Sequence, residues 1–211
     1  MRATNLSWIM WAAWMTSFST AWGQFSPETA PETDWQVSFN TGFFSEGTYL
    51  RTKVAQEPVS VRTKSAWLVG LRAGADKEFW GAELTLAEIF ADLELVADPA
   101  ALLPSGGDAN LLLLDLNFLW YPTGNDLADG RVRPFVTLGP GFMFFNSDFD
   151  QADGESAFDV NFGGGIKFLL GEKGNPFLRF DYRWHIFYGM TSGLEQTIYR
   201  QEMTAGIGWR F

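Results

Sequence analysis

The chain has 211 residues, 46% of them hydrophobic and 17% aromatic, with 22 Gly, 10 Trp, 20 Phe and no Cys. The aromatic share excludes a disordered chain, and the lack of Cys excludes disulfide scaffolds, thiol enzymes, cysteine-ligated metals and Cys-linked lipid anchors. A formal net charge of -10 argues against a nucleic-acid partner, because phosphate counterions are displaced by a basic face.

Residues 1–23 read as a secretory signal peptide: Arg2, an apolar run from Leu6 to Phe18, then small residues ending in Ala21-Trp22-Gly23. An N-terminal membrane anchor is the competing reading, but the run falls short of the roughly 20 residues of a spanning helix. Removing Arg2 from the 15 basic residues leaves 14 against 25 acidic ones, a formal charge of -11 on a mature chain starting at Gln24. Residues 24–33, with Ser26-Pro-Glu-Thr-Ala-Pro-Glu-Thr33, have nothing to bury and read as a flexible leader.

From residue 34 to 211 the apolar residues recur every second position, the period of a β-strand, between clusters of Gly, Asp, Asn and Pro. Eight strands follow. The first carries Trp35, Val37, Phe39 and Phe43, the second Trp67, Val69, Leu71 and Ala73, and the third Trp80, Ala82, Leu84 and Leu86 against Glu83 and Thr85. The fourth sets Leu112, Leu114, Leu116, Phe118 and Trp120 against Asp115 and Asn117, and the fifth, Arg133 to Phe145, presents Val136, Leu138, Phe142 and Phe144. The sixth sets Phe158, Val160, Phe162, Ile166 and Phe168 against Asp159, Asn161 and Lys167. In the seventh, Leu178, Phe180, Tyr182, Trp184 and Ile186 oppose Arg179, Asp181, Arg183 and His185, and the last runs Met203, Ala205, Ile207, Trp209, Phe211. A short helix is expected in Leu86 to Ala97, where the alternation fails around Glu88.

Two features put the apolar face in lipid and the polar face inside a barrel. Aromatics cluster near strand ends (Trp35, Trp67, Trp80, Trp120, Tyr121, Tyr188, Trp209), as an interfacial girdle requires. The connections also alternate: Ser45 to Thr63, Ala91 to Ala109, Asn146 to Glu155 and Gly189 to Tyr199 are longer than Gly74 to Lys77, Pro122 to Gly130 and Gly171 to Asn175. Short turns on one side and long loops on the other are the outer-membrane arrangement, with both termini on the periplasmic side. A soluble barrel holding an apolar ligand would need the apolar faces turned inward.

Three stretches resemble the small eight-stranded bacterial outer-membrane barrels of the OmpA, OmpX and OmpW kind: Arg133-Pro-Phe-Val-Thr-Leu-Gly-Pro-Gly141, then Asn161-Phe-Gly-Gly-Gly-Ile-Lys-Phe168 with Pro176-Phe-Leu-Arg-Phe-Asp-Tyr-Arg183, and the ending Gly208-Trp209-Arg210-Phe211. The resemblance implies an all-β, antiparallel up-and-down transmembrane barrel over residues 34–211. It also implies a terminal Phe211 read by the outer-membrane assembly machinery, and a monomer in contact with membrane lipid and lipopolysaccharide.

Eight strands enclose an interior just wide enough for side chains to fill. Arg72, Arg133, Lys167, Arg179, Arg183 and Arg210 fall on the inward face with Glu83, Asp115, Asp159, Asp181, Glu202 and His185, and this near-balance predicts a plug of ion pairs rather than a selective ion path. His185 is the only histidine, and the resemblance raises one enzymatic reading. Outer-membrane barrels that strip acyl chains from lipid A carry a His two residues before a Ser; here Phe187 stands in that place, leaving Ser192 and Glu195 in the next loop as the available hydroxyl and acid. Asp148, Asp150, Asp153 and Glu155 concentrate charge in one external loop, and Asp92, Glu94, Asp98 and Asp108 in another. Such carboxylates could hold divalent cations, though the spacing misses the EF-hand pattern, and a solvated acidic loop is the plainer reading. No cofactor motif is present.

Overall fold

The computed structural model describes residues 33–45, 47–54, 57–97, 107–124, 127–147, 156–170, 175–189 and 197–211. The proposed signal peptide and leader lie outside this set apart from Thr33.

Nine strand segments build eight walls. β1 (Asp34–Phe44) and β2 (Gly47–Val54) form a single wall, because both run along β3 (Glu57–Asp76). β1 pairs with the second part of β3, from Asp34↔Asp76 to Phe44↔Ala66, and β2 with the first part, from Gly47↔Thr63 to Val54↔Glu57. The remaining walls are β4 (Trp80–Ala97), β5 (Gly107–Trp120), β6 (Val132–Ser147), β7 (Ser156–Leu169), β8 (Pro176–Gly189) and β9 (Thr197–Arg210), each antiparallel to the one before. Pairing of β9 with β1, from Gln36↔Arg210 to Phe44↔Glu202, closes the barrel, while β2 is paired on its β3 side alone among the described residues.

The period of two in the sequence becomes an inside and an outside. Leu116 and Leu138 are each 58% exposed, whereas Arg179 and Arg183 are wholly buried. That polarity excludes the soluble apolar-ligand barrel. On β4 the exterior aromatics Trp80 and Phe90 stand ten residues apart. At about 3.3 Å per residue and a tilt of ~40°, the band between them is on the order of 25 Å tall, the height of a membrane's apolar layer. Trp35, Trp80, Trp120 and Trp209 ring the turn end, and Phe43, Trp67, Phe90, Phe144, Tyr188 and Tyr199 lie toward the loop end. Among the described residues, Glu88 is the one charged side chain on this band, close to its loop-end border.

Four expectations are corrected. Leu86 to Ala97 is strand, not helix: Ala87, Ile89 and Ala91 point inward and are buried, so apolar residues occupy both faces and the alternation disappears without the strand ending. The connection Ser45 to Thr63 is a hairpin of β2 and β3 that prolongs the barrel wall. Tyr121 belongs to the interior rather than the girdle, since its ring is fully buried. The lumen is not polar throughout: toward the loop end Phe44, Leu68, Ile89, Leu111, Leu113, Met143, Phe187 and Ile198 form an apolar layer.

The narrow lumen needs bare backbone where bulky groups cross. A Cβ on Gly163 would overlap the backbone carbonyl of Tyr182, and one on Gly139 that of Leu116. The turn from β5 to β6 ends on Ala128, Asp129 and Gly130, all with positive φ, which reverses the chain within a few residues.

Candidate functional site

Three polar layers fill the lumen below the apolar one. Nearest the turns, Lys167 Nζ donates to Gln36 Oε1 at 2.9 Å, Asp76 Oδ2 at 2.8 Å and the Tyr121 hydroxyl at 2.7 Å. β7 and β3 face each other across the barrel, so the Lys167–Asp76 pair spans it. Arg133 lies 4.2 Å above the Tyr121 ring and donates through Nη2 to the carbonyl of Lys77 at 2.7 Å, bracing the first turn.

The middle layer is denser. Arg179 is bound through Nε and Nη2 to both oxygens of Asp181 at 2.7 and 2.8 Å, and through Nη1 and Nη2 to both oxygens of Glu83. Asp181 is held by three guanidinium groups, since Arg72 Nη1 reaches it at 2.8 Å and Arg183 Nη2 at 3.2 Å. Arg183 Nη2 also reaches Glu83 Oε1 at 3.0 Å, and Arg72 Nη2 reaches Glu202 Oε1 at 2.6 Å. Every member is buried. Stripping water from such charges costs several kcal/mol per ion, so the group is stable only as a set in which each finds its partners.

Above it sits His185, fully buried. Its Nδ1 lies 2.7 Å from Asp159 Oδ2 and its Nε2 3.1 Å from Glu202 Oε2, while the ring stacks on Phe187 at 5.6 Å between centroids. Among the described residues no hydroxyl faces either nitrogen. Ser192 and Glu195 lie outside those residues, as do Asp148, Asp150, Asp153 and Glu155 of the acidic loop and Asp98 of the other. Asp92, Glu94 and Asp108 lie on β4 and β5 rather than in a loop.

Of the residues expected inside, Arg72, Glu83, Asp115, Arg133, Asp159, Lys167, Arg179, Asp181, Arg183, His185 and Glu202 are all buried. Arg210 instead sits at the open rim, where it pairs with Asp34 at 2.9 Å with side-chain exposures of 21% and 36%. The terminal Phe211 is 69% exposed, with its amide donating to the Trp35 carbonyl at 2.8 Å. Sequence reasoning missed Asp76, Gln36 and Arg200, all buried. Asp76 shares the parity of Arg72 but falls within Gly74 to Lys77, which the residue pattern marks as a turn. Arg200 shares the parity of Glu202, and a strand begun at Met203 leaves it out.

A closed eight-walled meander with an apolar exterior and charged lumen defines a transmembrane β-barrel. The chain has the fold of the small outer-membrane barrels. It superposes on the outer membrane protein OprG from Pseudomonas aeruginosa with a TM-score of 0.60 at 14% identity, over 88% of this chain and 99% of that one. Against Neisserial surface protein A the TM-score is 0.52 at 11% identity, over 85% and 99%. No protein-family model and no curated protein matches the chain.

Proposed function

We propose that the protein is a plugged barrel of the bacterial outer membrane, exported by its N-terminal 23 residues, whose role is structural or surface-binding and is exercised by its wall and external loops rather than through a pore. The observation that carries this reading is the pair of salt bridges from β8 to β4 and from β7 to β3, which cross the lumen between opposite walls. An apolar layer lines the same lumen above them, which disfavours passage of a hydrated ion. Outer-membrane lipid, lipopolysaccharide and the assembly machinery that reads Phe211 are its partners, and it acts as a monomer. The placement of His185 between two carboxylates supports a structural role for it over lipid A hydrolysis.

The test is to express the full chain in a Gram-negative host, fractionate the membranes and reconstitute the purified barrel in planar bilayers. Outer-membrane protein that produces no steady conductance steps, in cells whose lipid A mass spectrum is unchanged, is the expected result. Steady ohmic steps would overturn the plug, and loss of an acyl chain abolished by His185→Ala would make the protein an acyl hydrolase.

A further inference from the structure

We propose that Asp115, Asp159 and His185 form a buried site for one divalent first-row transition-metal ion. The three residues come from β5, β7 and β8, and one ligand atom from each lies within 4.8 Å of the others. Register explains how they meet. Asp115 pairs with Gly141, which pairs in turn with Asp159, so the two carboxylates flank a residue without a side chain. A Cβ on Gly141 would overlap Asp115 Oδ1.

The second observation is independent of the cluster's charge. Both oxygens of Asp115 and Oδ1 of Asp159 have no hydrogen-bond partner among the described residues, although both residues are wholly buried. The same holds for both amide atoms of Asn161, two residues from Asp159 on the same face of β7. Unsatisfied groups at this depth are rare and costly, and a cation satisfies carboxylate oxygens that no donor reaches.

The histidine stands beside these carboxylates. Before an ion binds, Nδ1–H donates to Asp159 Oδ2 at 2.7 Å and Nε2 faces Glu202 Oε2 at 3.1 Å. Binding exchanges the Nδ1 proton for the ion, with Nε2–H donating to Glu202 and the Asp159 oxygen moving aside to a neighbouring position on the metal. A carboxylate behind the far nitrogen is the usual support of a metal-binding histidine, fixing its tautomer and raising its basicity. One imidazole with two carboxylates suits zinc, iron or cobalt better than calcium or magnesium, which favour all-oxygen sets. With Phe44 and Phe187 beside the ring and the cross-barrel ion pairs below, the ion enters during folding rather than afterwards.

The experiment folds the untagged chain from denaturant into detergent with Zn²⁺, removes the excess, and measures zinc per barrel by plasma mass spectrometry. Because His185 is the only histidine, the ¹⁵N imidazole spectrum reports this site alone. The expected result is one zinc per barrel, with Nδ1 metal-bound and Nε2 protonated. Asp115→Asn, nearly isosteric, lowers the zinc content at least tenfold in barrels that still show the heat-dependent mobility of a folded barrel. The double variant Asp148→Asn/Asp150→Asn retains zinc. Folded wild-type protein without zinc above the blank, or an imidazole protonated on both nitrogens whatever metal is present, overturns the site, and so does zinc lost with the loop acids but kept in Asp115→Asn. Should Asp115→Asn fail to fold, the wild-type imidazole spectrum decides alone.

Discussion

Glu83 on β4 and Arg179 on β8 meet across the full width of the barrel, joined through both oxygens of the one and two nitrogens of the other. Because β4 and β8 are opposite walls, this contact braces the cylinder as a spoke braces a rim. Replacing Glu83 by Ala leaves Arg179 and Arg183 each short of a partner in a dry interior. We expect a loss of about 3–5 kcal/mol, read from urea unfolding of the folded barrel in lipid vesicles. A loss under about 1 kcal/mol would mean that water reaches these groups.

The rim pair Arg210–Asp34 provides the contrast. It has a distance similar to the interior pairs, 2.9 Å, but sits in partial contact with solvent. Arg210→Ala should cost less than about 1 kcal/mol in the same assay, with the cost shrinking further in high salt.

The outer wall can be tested at Leu116 and Leu138, each 58% exposed and placed mid-band. An arginine at either position should destabilise the barrel in a bilayer by about 2–4 kcal/mol, because the charge enters the apolar midplane. Leu127, 42% exposed in the turn between β5 and β6, should accept Arg with a cost of about 0–1 kcal/mol. Equal tolerance at all three positions is the outcome that would remove the membrane band.

In the apolar layer, Phe187 is wholly buried and stacks on His185. Phe187→Ala should cost about 3–5 kcal/mol through lost contacts and the cavity left behind. Phe187→Ser tests the enzymatic reading as well: unchanged lipid A from cells carrying it is expected, since His185 remains engaged by Asp159 and Glu202.

The close approach of β7 to β8 rests on Gly163, where any side chain meets the Tyr182 carbonyl. Gly163→Val should fail to reach the heat-resistant folded form, whereas Val160→Ile on the lipid face of the same strand should fold normally. Both can be scored on one gel by mobility before and after heating.

Much of this molecule was legible in the order of its residues. Leu178 to Ile186 alternates strictly because one face meets lipid and the other meets charged side chains, so both strand and polarity could be read there. In Leu111 to Leu114 on β5 and in Ala87 to Ala91 on β4 the strands pass through the apolar layer, the inward residues are apolar like most of the outward ones while the charged Glu88 falls outside, and the period is invisible. Local pattern reports a strand only where its two environments differ.

The period of two, the sign of each face and the identity of nearly every buried charge are properties of single strands, and the order of residues carries them. Which charges meet is a property of the closed sheet. Glu83 lies 96 residues from Arg179, and Asp115, Asp159 and His185 come from three different strands. Their juxtaposition is set by the register in which a closed sheet staggers its walls, and spacing along the chain carries no record of that stagger.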